Sequence, residues 1–133
     1  MARGETTFDW ADGEYTFALP LGQVEELQEK VGCGPYSLLR RLQDGTWQQS
    51  DIRETLRLGL IGGGQVKPVE AMRLVRAYVD ERPLLENVPA ATAVILAALV
   101  TPENEPQPGG GEAEEATTES PSPTSEASPP PSV

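Results

Sequence analysis

Residues 45–64, GTWQQSDIRETLRLGLIGGG, read as one amphipathic helix with defined ends. Ser50 or Asp51 is placed to cap the start, and Glu54 follows Asp51 at the spacing of an acidic capping box. Ile52, Leu56, Gly59 and Leu60 recur at helical spacing along one face, while Arg53, Glu54 and Arg57 fall elsewhere. Leu58 and Ile61 widen the apolar surface beyond one stripe, which predicts a helix contacted on two sides near the centre of the fold. Gly62, Gly63 and Gly64 are expected to stop it.

Upstream, the segment 6–19 alternates aromatic positions on either side of Asp12-Gly13, a dipeptide that tolerates the positive φ angles of a tight hairpin turn. A turn there sets Trp10 opposite Tyr15 and Phe8 opposite Phe17, four aromatics on one side, with Asp9 and Thr16 on the other. A hairpin alone is marginal in water, so the aromatic face must pack on the helices that follow. Pro20 opens the first helix, with Leu21, Val24, Leu27 and Val31 on one side and Glu25, Glu26 and Glu29 on the other, and Gly32 closes it. Pro35 starts a second with an apolar face of Leu38, Leu39 and Leu42, and Asp44-Gly45 ends it. Trp47 stands just before the cap of the central helix, where it can staple the entry to the core.

Downstream, Pro68 begins a helix carrying Ala71, Met72, Val75, Tyr78 and Val79, with Pro83 after its end. A new start at 87–89 leads into residues 90–100, AATAVILAALV, apolar around almost the whole circumference. Such a helix is buried in its own domain or pairs with a neighbouring subunit, and burial is the simpler expectation. The fold class expected is α+β, mostly α: an N-terminal hairpin packed on about five helices over residues 1–100. Residues 101–133 turn to Pro, Gly, Ser, Thr and Glu without apolar periodicity and are expected to be a disordered acidic tail.

The formal charge of −11 is divided unevenly, since all ten basic residues precede Thr101 and seven of the 21 acids follow it. That balance argues against nucleic-acid binding, which needs clustered positive charge, and against anionic membranes. The longest apolar run, residues 90–100, falls short of the ~20 residues needed to span a bilayer, and the N-terminal residues lack an apolar signal core, so a cytoplasmic protein is expected. With no histidine and a single cysteine, Cys33, neither a disulfide framework nor a Cys/His metal site is expected, and no cofactor is implied.

Four features invite a chemical reading, and each has a plainer one. The run 62–67, GGGQVK, offers glycines and a lysine for a phosphate, but it ends a helix and Lys67 precedes Pro68, so a helix stop fits better. Arg40, Arg41, Arg53 and Arg57 straddle a helix-turn-helix-like pair that suggests DNA or an anionic protein, but Asp51 and Glu54 share the second helix and a salt-bridged face fits better. Glu25 and Glu29 lie one turn apart on an exposed face rather than in a desolvated pocket. Cys33, between Gly32 and Gly34, has no histidine to assist it as a nucleophile. No catalytic residue is assigned, and an enzyme is the least favoured class.

Gly13-Glu14-Tyr15, Leu27-Gln28-Glu29, the run from Asp51-Ile52-Arg53-Glu54 through Leu58-Gly59-Leu60-Ile61-Gly62-Gly63-Gly64 and the last apolar helix together resemble a known family over about residues 5–100. The chain resembles the small gene transfer agent proteins of alphaproteobacterial phage-like particles, classed with phage tail assembly chaperones. The resemblance implies a non-enzymatic role in tail morphogenesis: binding the tape-measure protein, or other tail proteins, in the host cytoplasm, with absence from the mature particle. Self-association is a further expectation, and Trp47, Leu56, Leu60 and Ile61 are the candidate partner-binding residues. The acidic tail would keep complexes soluble by charge and excluded volume. The alternatives are a minor structural tail component and a small regulatory adaptor.

Overall fold

Two strands, β1 (Thr6–Trp10) and β2 (Gly13–Phe17), open the computed structural model, which describes residues 4–100. Five helices follow: α1 (Leu21–Val31), α2 (Pro35–Asp44), α3 (Gln49–Gly63), α4 (Pro68–Val75) and α5 (Val88–Val100). α4 runs on through one π-helical turn, Arg76–Asp80. The hairpin-then-helices reading of the sequence is therefore the observed fold. The expected tail, residues 101–133, lies outside the described residues.

The hairpin turns one residue earlier than its sequence suggests. Trp10 pairs with Gly13, Phe8 with Tyr15 and Thr6 with Phe17, so Ala11 and Asp12 make the loop and Ala11 takes φ +57°. Moving the turn by one residue changes each pairing by two positions, which leaves every side chain on its expected face. The four aromatics still share one side, now in diagonal contact: Phe8 stacks on Phe17 at 4.7 Å, and Trp10 meets Tyr15 edge-on at 5.9 Å and Phe17 at 5.8 Å. Two hydrogen bonds outside the strand pattern accompany this register. The Trp10 indole donates to Asn87 Oδ1 at 2.8 Å, and the Tyr15 hydroxyl donates to Asp12 Oδ1 at 2.5 Å.

α3 is the central helix, and the apolar residues Ile52, Leu56, Leu58 and Leu60 are buried along it. Its start differs from expectation. Gln48 takes the cap position, and Asp51 sits at the third helical residue with its carboxylate accepting from the Gln48 backbone N–H at 2.9 Å. Ser50 is already inside the helix, and Glu54 serves an ion pair instead of a cap. Trp47, one residue before the cap, is half-buried against the core in the position of a staple.

The end of α3 corrects the reading of its glycines. Gly62 and Gly63 remain helical, and only Gly64, at φ +84°, turns the chain out. A Cβ on Gly62 would lie 2.1 Å from Ala18 O, and one on Gly63 would lie 1.9 Å from Thr16 O. Gly59 comes close to the same segment, its carbonyl accepting from Ala18 N–H at 3.0 Å. The glycines thus let the helix backbone close onto the outer edge of β2 and the residues that follow it.

The remaining helices cover α3 and the aromatic face. Leu27 and Val31 of α1 are buried, whereas Leu21, expected on the same face, is 64% exposed at the first helical position. Leu38, Leu39 and Leu42 of α2 are buried, as are Ala71, Leu74, Val75 and Val79 along α4 and its π turn. α5 buries Ala91, Val94, Ile95 and Ala97 but leaves Leu96, Leu99 and Val100 in solvent. Burial within the domain holds for one side of α5, and its other side stays open.

Candidate interaction surface

Three of the four arginines that suggested a nucleic-acid face, Arg41, Arg53 and Arg57, are engaged with carboxylates. Arg41 Nη1 donates to both oxygens of the fully buried Asp51, at 3.0 and 3.1 Å, and to Val31 O at 3.3 Å. One guanidinium therefore ties the end of α1, the body of α2 and the first turn of α3. Its hydrogen bond to Asp51 strengthens its hold on the proton. Arg57 Nη2 lies 2.6 Å from Glu54 Oε1 and 3.3 Å from Glu26 Oε2, linking α3 to α1. Burial works against the Arg57 charge, and the bonds to Glu54 and Glu26 outweigh it, leaving the group harder to deprotonate than usual.

Arg53 Nε lies 3.0 Å from Asp80 Oδ2, but off the line of a directed hydrogen bond, so this is a charge contact between α3 and the π turn. Arg40 is exposed. Desolvated polar groups of this kind hold helices in register, and their carboxylates are committed to cations or to caps.

The other sequence features find structural places. Gln65, inside the glycine-lysine run, accepts from Thr16 N–H through Oε1 at 3.0 Å, which makes that run part of the closure over β2. Lys67 occupies the cap position of α4 and is exposed. Glu25 and Glu29 are exposed on α1, and Cys33 is half-buried against the core. Among the described residues, no group of three Asp, Glu, His or Cys side chains is placed to hold a metal ion.

Of the four candidate partner-binding residues, Leu56 and Leu60 have no exposed surface, and Trp47 and Ile61 are half-buried. The structure does not bring them into one patch of surface. Two grooves lie elsewhere. One, of about 740 Å³, runs beside α4 and its π turn and is lined by Val69, Met72 and Ala77 together with Arg57, Arg73 and Arg76. Val69 is 85% exposed. The sequence carried a signal for it, since Val69 is an apolar residue off the face defined by Ala71 and Val75. The second groove, of about 540 Å³, lies between β1 and the first half of α5.

α3 is thus wrapped by helices, with Arg41, Arg53 and Arg57 spent on joints between them and apolar grooves left open at the surface. The family model for phage tail tube protein, GTA-gp10, matches residues 3–101. The chain belongs to this family. The match spans the hairpin, the glycine-bearing end of α3 and α5, the parts on which the resemblance to gene transfer agent proteins rests. This tail-family member has a tail-associated role. No curated protein and no solved structure matches the chain. Among the described residues, no helix of this tail-family protein is long and apolar enough to cross a membrane.

Proposed function

We propose that the chain is a non-enzymatic component of a phage-type tail that acts by binding other tail proteins. The observation that carries this reading is the family match over residues 3–101, whose description names a tail tube protein. The open apolar grooves supply surface for such contacts, and the half-exposed Trp47 and Ile61 are members of the candidate set that a partner can reach. Mass spectrometry of purified particles tests it. The chain is expected in the tail fraction at a fixed ratio to the other tail proteins, and its absence from particles that are otherwise complete overturns the reading.

A second reading, an assembly chaperone for the tape-measure protein, is favoured by the small share of sheet. Two five-residue strands offer little from which to build a tube wall, while the groove beside α4 suits the apolar stripe of a helix. In that case the protein works in the host cytoplasm and leaves before the particle is finished. Co-expression with the tape-measure protein separates the two readings: retention and solubilisation of that partner, with no chain in the particles, selects the chaperone.

A further inference from the structure

The hairpin has two outer edges, and α3 closes only one of them. Thr16 N–H donates away from β1 to Gln65 Oε1 at 3.0 Å. In an antiparallel ladder, a residue whose N–H points outward belongs to a pair without mutual hydrogen bonds, and its partner points outward as well. Thr7, opposite Thr16, and Asp9, opposite Glu14, therefore turn their N–H and C=O groups away from β2. Among the described residues the sheet ends at β1, and no hydrogen bond reaches those groups.

α5 runs alongside this edge. Gly4 lies against Ala98 near the end of α5, and Trp10 bonds to Asn87 just before its start, so β1 travels the length of the helix in the opposite direction. Pro89 and Ala93 line the groove between them. Leu96 and Val100 continue that row at helical spacing and are 41% and 67% exposed. An unpaired strand edge thus lies beside the apolar start of α5, and Leu96 and Val100 extend that helix row in solvent beyond the groove.

Charge selects the occupant. Asp9 lines the groove and stands directly opposite Glu14 in the hairpin, a like-charge pair that repels until a cation comes between them, while Glu86 across the groove is already paired with Arg82. A second copy of β1 would bring Glu5 and Asp9 against the same acids. We propose that β1 accepts a third strand from another tail protein: an extended segment alternating apolar and basic side chains, paired to Thr7 and Asp9 and laid on the Ala93, Leu96 and Val100 row. The proposal rests on the reading that the chain works by binding tail proteins, and it names how one of them is held.

The test titrates the isotope-labelled full-length protein with a synthetic peptide of about ten residues, a generous strand length, alternating valine and lysine. A copy of the peptide with alternate backbone nitrogens methylated removes the donors on the edge that would face β1. Amide shifts are expected at residues 5–11 and along the outer row of α5, and methylation is expected to weaken binding at least about tenfold. Thr7→Pro removes an N–H that the hairpin does not use, along with the exposed hydroxyl bond to Thr16, and Ala93→Lys blocks the helix row; each should weaken binding by a similar factor while the chain stays folded at the temperature of the titration.

Equal binding of the methylated copy, shifts centred elsewhere, or no binding at all overturns the proposal. Overlapping peptides from the co-encoded tail proteins form the second arm, and one that binds at the same residues supports it. If no edge binding occurs while the chain is still found in particles, this inference alone fails. If the edge binds the synthetic peptide while particles lack the chain and no tail protein is retained, the functional reading fails and the third-strand surface stands.

Discussion

Gly63 is the residue where packing tolerance is smallest. Its missing Cβ would stand 1.9 Å from Thr16 O, a backbone atom that cannot rotate away. Gly63→Ala must push α3 off the strand, and is expected to cost about 2–3 kcal/mol by overpacking, read as a lower urea midpoint. Tyr15 gives a second prediction, in pH. Its hydrogen bond to Asp12, then burial and the neighbouring Asp12 charge, raise the phenol from 10.0 to about 12. The folded chain holds this proton more tightly than the unfolded one, so the stabilisation is complete below pH 10 and is lost as pH rises toward 12. Phenolate absorbance should show one tyrosine titrating late, and Asp12→Asn should return it toward the ordinary value.

At the scale of elements, the clamp of Arg41 and Asp51 is the main polar joint among the helices. Asp51 is fully buried, Arg41 keeps 28% of its side chain in water, and the same carboxylate caps α3. Asp51→Asn keeps the shape and one acceptor but removes the charge that Arg41 meets; the expected loss is about 2–3 kcal/mol, discounted for the exposure of Arg41. Equilibrium unfolding with an unchanged denaturant slope would verify it. The hairpin works at this scale too: its register follows the bonds of Trp10 and Tyr15 rather than the turn preference of Asp12-Gly13, and it places Ala11 at positive φ. Glycine at Gly13 was legible as a turn signal; the competing bond from Trp10 to Asn87, far along the chain, was not.

For the whole molecule, the division between closed and open surface is the feature most relevant to assembly. The glycine-bearing end of α3 closes β2, the helices bury the aromatic face, and apolar surface remains at Val69 and along the outer row of α5. Val69→Asp should leave stability within about 0.5 kcal/mol, because the residue is almost wholly exposed, while lowering retention of partner tail proteins in co-purification. Unchanged retention would remove the groove beside α4 from the binding surface.

Periodicity, prolines and turn residues in the sequence determined the hairpin, the five helices, their order and most of the core, because these depend on neighbours a few positions away. The family, too, was legible in local motifs. Tertiary structure alone decided what Gly62 and Gly63 are for, which carboxylate each arginine meets, and which side of α5 stays in water. It also decided that Leu56 and Leu60 lie inside the core while Val69 lies outside it. An apolar side chain carries the same local signal whether it faces a core or a partner, and only the positions of distant segments distinguish the two.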